Sequence, residues 1–132
     1  MIHHVFSSLR PPLPPRVALA LRFAAWACVA ALAVLSLLPK EEMVRTGADG
    51  RFEHFVAYAG TMLVAGLGYG RQVALARIAV PLIAYAGVLE IGQNFSPGRI
   101  PSIVDFAAGA AGVCASALAV RLWRPRTIAA SS

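Results

Sequence analysis

The residues best suited to chemistry in this 132-residue chain lie in two short stretches. The longer stretch, residues 90–105, sets two carboxylates, an amide and a guanidinium between long apolar segments: Glu90, Asp105, Gln93 and Arg99. Ionisable side chains that border lipid are costly to insert, so they indicate a functional site. A guanidinium suits the binding of an anion, and carboxylates suit the transfer of a proton.

The shorter stretch supplies a second set of polar side chains. Arg51, His54 and Tyr58 follow the spacing i, i+3, i+7, which places them on one face of a helix. His54, together with Glu90 and Asp105, is a candidate acid or base, although the sequence does not decide whether a reaction occurs. All seven side chains are predicted ligand-binding residues: Arg51, His54, Tyr58, Glu90, Gln93, Arg99 and Asp105.

Each of these residues also has a purely structural interpretation. Arg99 could pair with Glu90 or Asp105, and Asp105 could only cap its helix. His54 could be a hydrogen-bonded structural residue, and Tyr58 an interfacial aromatic. Glu90 fits such an interpretation least, since a glutamine would serve packing alone without the cost of a charge near lipid.

Neither a metal nor a cofactor is predicted. A zinc site made of His54, Glu90 and Asp105 is an alternative, but the chain has no HExxH motif. Cys28 and Cys114 lie inside apolar runs, where thiols behave as small hydrophobic groups.

The composition indicates a membrane protein. Hydrophobic residues make up 58% of the chain, charged residues only 14%, and the mean hydropathy is +0.68. So little polar surface excludes a soluble globule of this size. The net charge of +6 does not indicate a nucleic-acid partner, because the arginines lie at the edges of apolar runs rather than in a basic stripe with aromatics.

The apolar runs predict the elements that position the polar stretches. We expect one all-α domain over residues 1–132, a four-helix transmembrane bundle with helices at about 17–38, 53–70, 76–95 and 103–122. Residues 1–15 are expected to form a short irregular tail. A cleaved signal peptide is an alternative for the first apolar run, which is longer than such peptides usually are.

Local signals mark where the helices begin, end and approach one another. Asp49 and Gly50 suit the start of the second helix, and Ser102 with Asp105 has the spacing of a capping box. Pro97 and Gly98 predict a turn. Two glycine-containing groups predict helix termination and close helix contact: residues 66–70, and the face formed by Ala108, Gly109, Gly112 and Ser116.

The distribution of positive charge predicts the orientation. With four crossings, eight arginines fall on one side: Arg10, Arg16, Arg22, Arg71, Arg77, Arg121, Arg124 and Arg126. Four cations fall on the other: Lys40, Arg45, Arg51 and Arg99. The positive-inside rule then places both termini in the cytoplasm. All six acidic residues lie toward the outer side, together with the candidate site.

These motifs resemble the VanZ-like family of small bacterial membrane proteins. The resemblance rests on Arg51-x-x-His54-Phe55-x-x-Tyr58, and on Glu90-x-x-Gln93-x-Phe95-x-Pro97-Gly98-Arg99-x-x-Ser102-x-x-Asp105 followed by Gly112. It covers roughly residues 35–120. Family members usually have Lys where this chain has Arg51, and Asn where it has Gly109.

The resemblance implies a multi-pass protein of the bacterial inner membrane with a role in the cell envelope, since the namesake is associated with resistance to the glycopeptide teicoplanin. Membrane lipids or lipid-linked cell-wall intermediates are then the expected partners. The residues favour an envelope protein that binds or modifies an anionic headgroup at the outer leaflet. A small transporter and a structural or regulatory membrane subunit are the alternatives.

Overall fold

Four long helices form the described part of the protein. The computed structural model describes residues 12–124, and this part contains helices but no strands: α1 Pro15–Leu37, α2 Gly50–Tyr69, α3 Leu75–Gly92 and α4 Ile103–Trp123. Two short 3₁₀ turns, Lys40–Glu42 and Gln93–Phe95, follow α1 and α3. The predicted all-α, four-helix class is therefore confirmed, and the helix bounds differ from the expected ones by only a few residues.

The prolines near the N-terminus set the start of α1. Pro15 is its first residue, although the sequence assigned it to the irregular tail. A proline is tolerated there because the first helical N–H has no partner within the helix. Residues 12–14 of the predicted tail are not helical, whereas residues 1–11 and Arg126 lie outside the described residues.

The predicted caps and turn hold the ends of α2, α3 and α4. The Asp49 carboxylate accepts a hydrogen bond from Arg51 N at 3.0 Å, and Ser102 Oγ accepts one from Asp105 N at 3.3 Å. Gly98 has φ +73°, the positive value that a proline–glycine turn requires. Lys40 N donates to Pro97 O at 3.1 Å, so the α3–α4 turn is joined to the end of α1.

The closest helix contact is between α2 and α4, as the face of small residues predicted. A Cβ on Gly112 would collide with the carbonyl oxygen of Phe55, so only glycine permits this approach. Ser116 Oγ donates to Ala59 O at 2.6 Å across the same contact. These two contacts fix the register of α4 against α2.

The predicted glycine-rich end of α2 also serves close contact. A Cβ on Gly68 would lie 3.2 Å from the backbone nitrogen of Arg22 in α1, and one on Gly66 would lie 3.3 Å from Val120 in α4. Gly70 ends the helix, and its N–H donates to Gly66 O at 3.0 Å. The glycines therefore let α1 and α4 approach α2 from either side.

Three helices are long and apolar enough to cross a membrane: α1, α3 with its 3₁₀ extension, and α4. The protein is thus a membrane protein. The helix α2 has 20 residues but is less apolar, and it contacts all three other helices. A helix enclosed by its neighbours needs less apolar surface toward lipid. That α2 crosses the membrane, and that both termini are cytoplasmic, stay predictions.

Candidate functional site

The centre of the candidate site joins three helices through one carboxylate. Glu90, near the end of α3, lies with Oε1 3.5 Å from Nε2 of His54 on α2. Its other oxygen accepts a hydrogen bond of 2.9 Å from the backbone N–H of Ser102, the residue that caps α4. Only 11% of the Glu90 side chain and 21% of the His54 side chain are exposed.

The contact of His54 Nδ1, the other ring nitrogen, shows that Nδ1 is protonated. Nδ1 is 2.9 Å from the carbonyl oxygen of Gly50, which can only accept, so Nδ1 carries a hydrogen. The contact between Nε2 and the carboxylate of Glu90 is attractive only when a further proton lies between them. His54 and Glu90 therefore form a candidate acid–base pair.

Tyr58 supports this pair from the next turn of α2. Its ring stacks on the His54 ring with centroids 6.5 Å apart, and the residue is only 2% exposed. The alternative interpretation of Tyr58 as an interfacial aromatic is wrong, because Tyr58 belongs to the core. Gly109 faces the Tyr58 ring, and a Cβ on Gly109 would lie 2.9 Å from Cδ2. The glycine at this position makes room for the ring.

Arg99 lies apart from the acidic residues. Its guanidinium donates to the backbone oxygen of Ser36 at 3.1 Å and to Sδ of Met43. The structural alternative, an ion pair of Arg99 with Glu90 or Asp105, is not found, and in the described part of the chain no carboxylate neutralises its charge. A thioether is a weak acceptor, which leaves Arg99 able to bind an anion.

A cavity of about 510 Å³ lies between α1, the α1–α2 connection and the first half of α2. Its walls are mainly apolar, with contributions from Leu32, Leu35, Leu38, Val44, Phe52 and Val56. A few polar side chains also line it: Ser36, Thr46, Glu53, His54, Tyr58 and Arg99. An apolar cavity with a few polar groups is typical of a site for an amphiphilic ligand.

The Asp105 side chain does not make the hydrogen bond that its spacing predicted. In a capping box its carboxylate would accept from Ser102 N, but that N–H donates to Glu90 instead. Among the described residues, Asp105 has no hydrogen bond or ion pair to its side chain. Glu90 thus supplies the capping acceptor that was expected from Asp105.

Two further candidates lie away from the cavity. The Arg51 side chain is 67% exposed and lies 3.9 Å from the Asp49 carboxylate, so it pairs beside the helix start rather than in the site. Gln93 is buried, with 4% exposure, at the end of α3. Of the seven predicted binding residues, the cavity brings together His54, Tyr58 and Arg99, with Glu90 behind His54.

Sequence reasoning missed the wall formed by the α1–α2 connection. Met43, Val44 and Thr46 line the cavity, and Thr46 Oγ1 donates to Glu53. Met43 and Val44 are apolar residues in an otherwise polar loop, and no spacing linked them or Thr46 to Arg99. The zinc alternative is not supported by the geometry, since in residues 12–124 no three His, Cys, Asp or Glu side chains come together as a metal would require.

Comparison of the chain with protein-family models, with curated proteins and with solved structures finds no match to any of the three.

Proposed function

We propose that this protein is a VanZ-like protein of the bacterial inner membrane that binds an anionic, lipid-linked headgroup at the outer leaflet. The observation that carries the proposal is Arg99, a cation without a carboxylate partner in the described chain, at the wall of a mainly apolar cavity. An arginine in such a place binds phosphate or carboxylate strongly, since few water molecules compete for it.

The cavity also supports an acyl or isoprenoid chain on the ligand. Phe52 and Val56 line it and are 61% and 48% exposed, so its apolar wall continues onto the outer surface of α2. A chain lying there would be in contact with both the cavity and the bilayer. The ligand class is therefore an amphiphile whose acidic group reaches Arg99.

His54 and Glu90 have different roles in this proposal. His54 lines the cavity, so its ring can exchange a proton with a bound headgroup. Glu90 does not line the cavity but contacts His54, which does. We therefore assign Glu90 as a residue that positions the His54 ring. The resemblance to VanZ-like proteins extends the proposal to lipid-linked cell-wall intermediates and to teicoplanin sensitivity.

A titration with a single-chain phosphate lipid tests the proposal. Native mass spectrometry in mild detergent would compare lysophosphatidic acid with a monoacylglycerol of the same chain length, which lacks the charge. Ala57 lines the cavity, so Ala57→Phe would fill part of it. The lipid binding that remains in this variant defines the non-specific background. Arg99→Gln should weaken binding above this background about tenfold, the effect of losing a charged hydrogen bond of roughly 1.5 kcal/mol.

Arg51→Gln is the matched control, because it removes the same charge from the same end of the bundle outside the cavity. It should leave binding unchanged. Equal affinity of the Arg99→Gln and wild-type proteins, or equal binding of the charged and uncharged lipids, would contradict the proposal. In cells, Arg99→Gln but not Arg51→Gln should alter teicoplanin sensitivity.

A further inference from the structure

The end of the bundle opposite the candidate site has a charge composition of its own. Along the described chain, the first half of α1, the end of α2, the start of α3 and the end of α4 carry six arginines and no acidic residue: Arg16, Arg22, Arg71, Arg77, Arg121 and Arg124. We name this end the arginine pole. The other end, the acidic pole, carries six acids and four cations.

One side of the arginine pole combines a cation with aromatic rings. Arg22 donates from Nε to Gly68 O at 3.0 Å, and its guanidinium lies 4.9 Å from the centroid of the Tyr69 ring. Trp26 donates from Nε1 to Tyr69 Oη at 3.0 Å. The Nε hydrogen bond holds the Arg22 guanidinium in place. Its two terminal nitrogens could therefore bind a ligand with little further loss of side-chain entropy.

A second guanidinium is fixed at the end of α2, where α4 approaches it. Arg124 donates to the carbonyl oxygens of Gly66 and Gly70. Its pKa is lowered, first by burial and second by the positive charge of Arg71. In the described chain no carboxylate pairs with either arginine, so the like charges are held together without a counter-ion. An anion bound between them would relieve this repulsion.

Apolar side chains next to the cations favour a lipid over a soluble anion. Phe23 and Trp26, on the same helix as Arg22, are 70% and 65% exposed and extend from the cluster along α1. An exposed tryptophan beside an arginine is typical of the level where headgroups meet acyl chains. A free phosphate would leave these apolar surfaces unused.

We propose that the arginine pole binds the phosphate of an anionic phospholipid through Arg22, with an acyl chain of that lipid lying against Trp26 and Phe23. Basic clusters between membrane helices bind anionic headgroups with about 1 kcal/mol per cation, which corresponds to about fivefold in affinity. This site is separate from the cavity beside Arg99.

Fluorescence quenching of Trp26 tests the assignment. The full chain with Trp123→Phe keeps Trp26 as its only tryptophan. It would be placed in lipid nanodiscs with brominated phosphatidylglycerol, which is anionic, or with brominated phosphatidylcholine, which is zwitterionic. The anionic lipid should quench Trp26 at a lower mole fraction. Arg22→Gln should reduce this preference about fivefold, and Arg22→Lys should retain most of it.

Arg45→Gln, at the acidic pole, and Arg99→Gln, in the cavity, are controls that should keep the preference for anionic lipid. The proposal would be overturned by equal quenching from the two lipids, or by an unchanged preference in Arg22→Gln. Displacement of the lipid by inorganic phosphate at an equal concentration would also overturn it, because the anion alone would then suffice. Loss of the preference in Arg99→Gln alone would assign lipid binding to the cavity instead.

Discussion

The two poles of the bundle hold their helices together by different kinds of contact. At the acidic pole, the Glu90 side chain joins α2, α3 and α4 through His54 and Ser102 N. At the arginine pole, arginine side chains donate to backbone carbonyls, as Arg22 does to Gly68 and Arg124 does to Gly66 and Gly70. The first pole contains an acid–base pair, and the second contains cations and carbonyl acceptors.

This difference indicates what each pole is suited to do. Histidine and carboxylate side chains can donate or accept protons, and His54 and Glu90 lie 3.5 Å apart at the acidic pole. Guanidinium groups stay charged, and carbonyl oxygens do not titrate. The arginine pole therefore presents positive charge and carbonyl acceptors, whereas the acidic pole also contains side chains of the kind used in acid–base chemistry.

The largest expected effect comes from the contact between α2 and α4, both of which extend from one pole to the other. Gly112→Ala places a methyl group against Phe55 O and forces α2 and α4 apart, which should destabilise the protein by about 3 kcal/mol and weaken ligand binding at both poles. Thermal unfolding in mild detergent, followed by circular dichroism, measures this. Gly60→Ala is the control on α2, because no atom lies within 4 Å of its Cβ position. Equal melting temperatures of the two variants would rule out the close contact.

A smaller effect should be confined to the acidic pole. Glu90→Ala removes both the contact with His54 and the acceptor for Ser102 N, which should cost about 2 kcal/mol. Glu90→Gln keeps an acceptor for Ser102 N and should cost about half as much. Glu42→Ala removes an exposed carboxylate from the same pole and should be neutral. If the Glu90→Ala and Glu42→Ala proteins unfolded at the same temperature, the link between three helices would be refuted.

The smallest effect should be confined to the arginine pole. Arg124→Gln removes a donor to two carbonyls at the end of α2, and relief of the repulsion with Arg71 offsets part of the loss, so about 1 kcal/mol is expected. Hydrogen exchange of the last amides of α2 should become about fivefold faster. Arg121→Gln, exposed on α4, is the control, and the same exchange rate in both variants would contradict the capping role.

Contacts between residues close in the chain could be predicted from the sequence. The Asp49 and Ser102 caps, the turn at Gly98 and the small residues Gly112 and Ser116 all have the roles that their types and spacings indicated. The physical reason is that capping and turn formation depend on a few neighbouring dihedrals, and a face of small residues depends only on helical periodicity.

The partners of the polar side chains were decided by the tertiary structure. Arg99 binds Met43 and Ser36, which lie 56 and 63 positions away in the chain, rather than the carboxylates nearby in sequence. Glu90 replaces Asp105 as the acceptor for Ser102 N, and Arg51 remains at the surface with Asp49. Which donor reaches which acceptor depends on the rotation and register of whole helices, and these are set by packing that no local spacing encodes.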